Sequence, residues 1–197
     1  MLEEVAAMIV AGAVVAIPTD TLYGLAVDPF SAAAVARVFA VKGRAGERAL
    51  PLVAADRQQV TQCLGALPPL GVRLADRFWP GPLTLLLAAP VELAAEVTGE
   101  TGRVGVRVPG HAVARALCRL CDRPLTATSA NLSGSPPCDR ADDVEASLGD
   151  RIDAIVDAGA TAGGQASTIV DVTGREPVLV RSGAIPWDDV RRCLTRA

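Results

Sequence analysis

Residues 17–30 read IPTDTLYGLAVDPF and residues 41–53 read VKGRAGERALPLV, and these two segments decide how the chain folds. Val14 to Ile17 is a short apolar run, mostly β-branched and closed by Pro18, which is the pattern of a buried strand ending in a turn. Thr19, Asp20 and Thr21 follow at once. Small hydroxyl and carboxylate side chains at the end of a strand either tie down the turn or face a ligand beyond it. Ser31 is placed to cap a helix running to Lys42, with Val35, Val38 and Phe39 on one face. Gly43 stands where a helix ends in a left-handed residue, and LPLV at 50–53 returns as a strand.

Lys42 is the only lysine, and the remaining eighteen long basic residues are arginine. A lysine offers a compact, strongly hydrated charge on a flexible stem, where arginine offers a planar fork, so a solitary lysine marks a place suited to an ammonium. The plainer reading is a cation satisfying the last carbonyls of its own helix. Arg44 and Arg48 place two more cations within seven residues on a glycine-containing loop, and like charges that close repel unless an anion lies between them. The segment therefore reads as an anion-binding loop.

PTDTLYGL followed by KGRAGER and PLV resembles the YrdC/Sua5 family, the threonylcarbamoyl-adenylate synthases. Further segments in the same order carry the resemblance: FWPGPLTLLL at 78–87, VGVRVPGH at 104–111, TSANLSG at 128–134, STIVD at 167–171 and VRSGAI at 180–185. The resemblance covers nearly the whole chain. It implies a single YrdC-like domain over residues 1–197, without the additional C-terminal domain some relatives carry, built as a twisted mixed parallel and antiparallel sheet flanked by helices around a concave basic pocket.

Length and composition agree with one α/β domain. The 197 residues are half hydrophobic, enough for a substantial core. A net charge of −3 and 3% aromatic content argue against a protein that coats nucleic acid electrostatically or stacks single-stranded bases. The longest apolar run, Val5 to Ile17, is thirteen residues, short of the ~18–20 a bilayer span needs, and it follows Glu3 and Glu4 rather than positive charge. The expectation is a soluble cytoplasmic protein. Five cysteines are odd in number and scattered; Cys118 and Cys121 share a helical face with Ala114 and Leu117, which reads as buried reduced thiols rather than a zinc or redox pair.

In chain order, Leu2 to Ala11 reads as a helix with Val5, Met8 and Ile9 inward, Asp56 caps a helix to Leu64, and another helix ends at Trp79. Leu83 to Ala88 is an uninterrupted apolar strand of the kind covered on both faces, and residues 92–101 read as a surface connection. Residues 102–108 alternate, which carries Arg107 to an open face, either solvated or as a fork for a carboxylate or phosphate. Thr128 to Gly134 follows a strand with hydroxyl and amide groups, where α/β sheets bind ligands, although an ordinary turn has the same composition. Asp142 to Leu148 reads as a helix and 154–157 as a strand. The loop AGATAGGQAST at 158–168 is glycine-rich enough to fold over a ligand, and equally a plain linker. Strands at 168–172 and 178–181 and a helix from Trp187 complete the chain.

No GxxxxGK[ST], GxGxxG, HExxH or GxSxG is present, so any handling of ATP proceeds without a P-loop. Scattered cations and hydroxyls suit positioning and charge stabilisation at a phosphorus centre. The resemblance implies synthesis of threonylcarbamoyl-AMP and pyrophosphate from L-threonine, bicarbonate and ATP, for the t6A modification of tRNA. It assigns Arg44, Arg48, Ser129, Asn131 and Arg181 to the nucleotide, Thr21, Arg107 and Ser167 to threonine, and the charge developing in the reaction to Lys42 and Arg44. It implies no protein metal site, Mg²⁺ arriving with ATP, a tRNA-modifying threonylcarbamoyl transferase complex downstream, weak tRNA binding, and no membrane partner. The chain departs from the pattern twice: many relatives carry a histidine where Val53 or Ala54 stands, and a threonine where Arg103 stands, so backbone groups or Arg103 would substitute. Two rivals share these features: a module that binds structured RNA in the same groove, and a carbamoyl-adenylate-forming domain of hydrogenase maturation.

Overall fold

The side-chain hydroxyl of Ser31 accepts a hydrogen bond from the backbone N–H of Ala34, and Gly43 ends the same helix in the left-handed region, as the sequence predicts. The computed structural model describes residues 1–43, 49–99 and 101–195. In chain order the elements are α1 (Leu2–Val10), β1 (Val15–Pro18), β2 (Tyr23–Ala26), α2 (Ala32–Lys42), β3 (Leu52–Val53), α3 (Arg57–Leu64), α4 (Pro69–Phe78) and β4 (Leu83–Ala88). They continue with α5 (Ala95–Thr98), β5 (Arg103–Arg107), α6 (Ala112–Leu120), β6 (Leu125–Thr126), β7 (Thr128–Ser129), α7 (Ala141–Leu148), β8 (Ala154–Ile155), β9 (Thr168–Asp171), β10 (Val178–Arg181) and α8 (Trp187–Thr195).

Among the described residues the strands form two mixed sheets, one in the order β7-β2-β1-β8 and one in the order β10-β9-β4-β5-β3-β6. Parallel pairs join β1 to β8, β3 to β5 and β4 to β9, and the other pairs are antiparallel. The expected mixed sheet flanked by helices is thus present, divided in two. The chain crosses between the sheets within three residues, because β6 pairs with β3 while β7 pairs with β2. Gly24 permits this crossing: a Cβ there would stand 3.3 Å from the Ala127 Cα, tighter than side chains ordinarily tolerate.

β1 is buried on both faces, with Val14 and Ala16 in one apolar cluster and Val15 and Ile17 in another. The second cluster is closed by α1 and α6, where Ala6 and Ile9 pack with Ala114, Leu117 and Cys118. Met8, expected inward, is only half-buried. β4 departs from the expectation of cover on both faces. Leu83, Leu85 and Leu87 enter the core, whereas Thr84 and Leu86 line a cavity between the sheets. Residues 92–101 hold the short helix α5, whose Val97 is fully buried. No helix among the described residues is long and apolar enough to cross a membrane.

The helical reading of the cysteines holds. Burial raises the Cys118 thiol well above its ordinary range and pushes Cys121 up to about 11, so both remain protonated near neutral pH. Because the thiolate is the reactive form, native protein at pH 7.5 is expected to label with a disulfide-exchange reagent at half-buried Cys63 and Cys193 first. Cys118 and Cys121 are expected to react only on unfolding, as peptide mapping of the labelled protein will show.

Candidate active site

A cavity of about 540 Å³ opens between the two sheets. The four-stranded sheet and the turns leaving it contribute Thr19, Thr21, Gly24, Ser129 and Asn131; the six-stranded sheet contributes Thr84, Leu86, Gly105, Arg107 and Ile169; Ser167 and Arg181 close one side. The apolar part of the wall, including Leu50, Pro51 and Leu52, suits a ring or methyl group, and the polar groups converge from six separate segments.

Arg107 is brought to the cavity by the alternation of β5, but it is buried to 7% exposure rather than lying on an open face. Its Nη1 donates to Asp20 Oδ1 at 2.6 Å, and its Nη2 donates to the hydroxyls of Thr19 at 3.0 Å and Thr21 at 3.2 Å. The residues read as a turn after the first strand are therefore the clamp on an arginine of another sheet. A guanidinium carries five N–H groups, so this clamp leaves Nε and one Nη1 donor for a ligand. Burial lowers the Arg107 pKa, the Asp20 carboxylate opposes that shift, and the Arg181 charge adds to it. The effect of Arg181 on Arg107 is the like-charge proximity that an anion between them relieves.

Arg181, on the edge strand β10, donates from Nε and Nη2 to the Ser167 carbonyl, at 3.1 and 2.8 Å, and from Nη2 to Ser167 Oγ at 3.0 Å. Its own pKa is lowered by burial. The family resemblance assigns Ser167 to threonine and Arg181 to the nucleotide, and the direct hydrogen bonds place the two side chains side by side.

Asn131 donates both amide protons to backbone carbonyls, those of Leu132 and Ser135, and holds the 131–135 turn, while its Oδ1 is buried without a partner among the described residues. Tyr23 pins the start of the 158–168 loop by donating to the Gly159 carbonyl at 2.8 Å, and Thr161 donates to the Thr21 carbonyl at 3.0 Å. Asp20 Oδ2 and His111 Nδ1 are also buried without partners among the described residues. Burial lowers the His111 pKa against the pull of Asp20, which favours neutral imidazole at pH 7.

Lys42 departs from the expectation of a cation facing an anion. It is 3% exposed, is not among the residues lining the cavity, and donates from Nζ to the carbonyls of Ser129 at 2.5 Å and Asn131 at 2.9 Å. The carbonyls it satisfies thus belong to the ligand-facing segment, not to its own helix. Arg44 and Arg48 lie outside the described residues. Arg103 turns away from the cavity to pair with Asp171 at 2.6 Å, so it takes no cavity contact in place of a threonine. Val53 and Ala54 are fully buried and the Ala54 N–H donates to the Arg107 carbonyl. No group of three or more histidine, cysteine or carboxylate side chains among the described residues is arranged to hold a metal.

Comparison with known proteins agrees with this geometry. The chain is 38% identical over 183 residues to the threonylcarbamoyl-AMP synthase of Pyrococcus abyssi, covering 93% of this chain and 54% of that one. It is 38% identical over 192 residues to the threonylcarbamoyl-AMP synthase of Bacillus subtilis, covering 97% and 56%. The P. abyssi Sua5 structure in complex with L-threonine superposes with a TM-score of 0.93 at 36% identity, over 98% of this chain and 57% of that one. This chain spans a little over half the length of these relatives. Residues 7–183 match the family of Sua5, YciO and YrdC, described as telomere recombination, and the chain belongs to that family.

Proposed function

We propose that this chain is an L-threonylcarbamoyladenylate synthase, and the observation that carries the reading is the cavity itself. It sets two guanidinium groups with unspent donors, the buried Arg107 and the more exposed Arg181 of edge strand β10, among the hydroxyls of Thr21, Ser129 and Ser167. Such a site suits two anionic partners side by side, and the described residues lining it include no carboxylate or histidine to act as an acid–base pair, which suits a reaction driven by proximity and charge. The names of the relatives, and the threonine in the P. abyssi structure, point to the same substrates.

In this reading Arg107, Thr21 and Ser167 hold the threonine carboxylate and hydroxyl. Ser129, Asn131 and Arg181, with Arg44 and Arg48, hold the nucleotide. The threonine amino nitrogen adds to the carbon of bicarbonate with loss of water, giving a carbamate. A carbamate oxygen then attacks the α-phosphorus, and the bond to pyrophosphate breaks as the new phosphorus–oxygen bond forms. Lys42 and Arg44 stabilise the charge that develops, Lys42 from behind the Ser129 to Asn131 segment. The described residues form no cage of carboxylates, so Mg²⁺ is proposed to enter as the counter-ion of the triphosphate. Transfer of the product to tRNA would fall to a separate threonylcarbamoyl transferase complex, with only weak tRNA contact by this chain.

The test is incubation of the protein with ATP, Mg²⁺, bicarbonate and each amino acid in turn. The expected result is pyrophosphate release with L-threonine and an acyl adenylate of the threonylcarbamoyl mass. Salt-sensitive RNA binding without such turnover would favour an RNA module instead, and turnover with carbamoyl phosphate in place of threonine would favour the hydrogenase-maturation chemistry.

A further inference from the structure

We propose that Thr84, which the sequence places in a plain apolar strand, is a positioning residue that locks the Ser167 hydroxyl as a donor into the cavity, so that this corner accepts only an oxygen lone pair of the bound amino acid. The inference rests on the function proposed above and extends it to a residue that contributes through another.

The argument is a count of protons. Thr84 is 1% exposed, and its hydroxyl has one partner among the described residues, Ser167 Oγ at 2.8 Å. A buried hydroxyl that fails to donate is costly, so the Thr84 proton goes to Ser167. Ser167 Oγ also accepts from Arg181 Nη2 at 3.0 Å. With two hydrogen bonds arriving, the oxygen of Ser167 is saturated as an acceptor, and its own proton is directed to the remaining open side, which is the cavity. A ligand ammonium, which can only donate, finds no acceptor there. A carboxylate or carbamate oxygen finds a donor.

The backbone fixes the same geometry. β4 and β9 run parallel with Leu83 opposite Thr168, and the Thr168 N–H donates to the Pro82 carbonyl at 3.0 Å, which sets Thr84 beside Ser167. On the other side a Cβ at Gly183 would collide with the Ser167 backbone, so that segment is held close on both flanks.

Titration calorimetry with L-threonine tests the relay on wild type, Thr84→Val, Thr84→Ser, Ser167→Ala and the Thr84→Val/Ser167→Ala pair. Thr84→Val keeps the β-branched shape and removes the proton, and it is expected to weaken threonine about fivefold, the effect of one hydrogen bond. Thr84→Ser restores most of that affinity, and in the Ser167→Ala background Thr84→Val adds nothing further. A purely packing role for Thr84 would lower thermal stability in both backgrounds and weaken threonine additively, and that result, or an unchanged affinity in Thr84→Val, overturns the relay while leaving the proposed function intact. If wild type binds no threonine, the proposed function fails. The relay is then decided by the same series titrated with inorganic phosphate, surviving if Thr84→Val weakens it and falling if the variants match wild type.

Discussion

Replacing Arg107 by methionine is expected to lower stability by about 3–5 kcal/mol, because it leaves the Asp20 carboxylate buried without its counter-charge. Asp20 already has one oxygen, Oδ2, without a partner among the described residues, and Oδ1 would join it. The hydroxyls of Thr19 and Thr21 lose their donor in the same step. Against a total of about 5–15 kcal/mol for a domain of this kind, the variant would fold marginally at 25 °C. The double variant Arg107→Met/Asp20→Asn removes both charges and is expected to recover part of the loss, since an ion pair exchanged for neutral groups costs less than an orphaned charge. Denaturant melts of wild type, Arg107→Met, Asp20→Asn and the double variant give the coupling directly. Neither variant is expected to release pyrophosphate in response to threonine, because the guanidinium proposed to hold the threonine carboxylate is gone. A single variant that loses less than about 1 kcal/mol would mean that Asp20 reaches water once Arg107 is gone.

Much of the framework was legible because it is local. The Ser31 and Asp56 caps, the left-handed Gly43, the alternation of β5 and the amphipathic face of α6 all follow from side chains a few residues apart. The site was legible as an inventory of residue types but not as an arrangement. Arg107 was visible as an arginine on the alternate face of a strand, yet its clamp comes from residues some 87 positions earlier, and a sheet of strands joined by crossovers gives no sequence signal for that pairing. β4 looked like a core strand because five of its six residues are apolar, whereas one face floors a cavity that only the neighbouring Gly105 and the opposing sheet create. Thr84 carried the one visible signal, a buried hydroxyl in an otherwise apolar run, since such a group needs a partner. The crossing at 126–128 left only a trace in Gly24, whose missing side chain reports a close backbone approach without saying to what.

Lys42 gives the second large effect, and its structural role and its proposed catalytic role part at one experiment. The ammonium, 3% exposed, ties the end of α2 to the carbonyls of Ser129 and Asn131, and the Lys42 carbonyl in turn accepts from the Ser133 N–H at 3.0 Å. Lysine suits this place because three donors on one small head can reach two carbonyls at different heights, whereas a planar guanidinium needs more room and a coplanar pair of acceptors. Lys42→Met keeps the stem, loses two charge-assisted bonds of about 1.5–3 kcal/mol each, and regains part of that by relieving the buried charge, for a net loss of about 2–4 kcal/mol. The consequence for ligands follows from what the lysine holds. Ser129 and Asn131 line the cavity, so freeing their backbone is expected to raise the KM for ATP, while removing a positive charge behind them lowers kcat, together at least about tenfold in kcat/KM for ATP. The KM for threonine, which the proposed function assigns to Arg107 on the other sheet, is expected to move far less. Lys42→Arg restores the charge without the fit and is expected to behave like the methionine variant rather than the parent. Steady-state pyrophosphate release, with each substrate varied in turn, separates these effects. A Lys42→Met protein that melts with the wild type and keeps full ATP- and threonine-dependent turnover would show that the buried ammonium neither orders this wall of the cavity nor assists the chemistry.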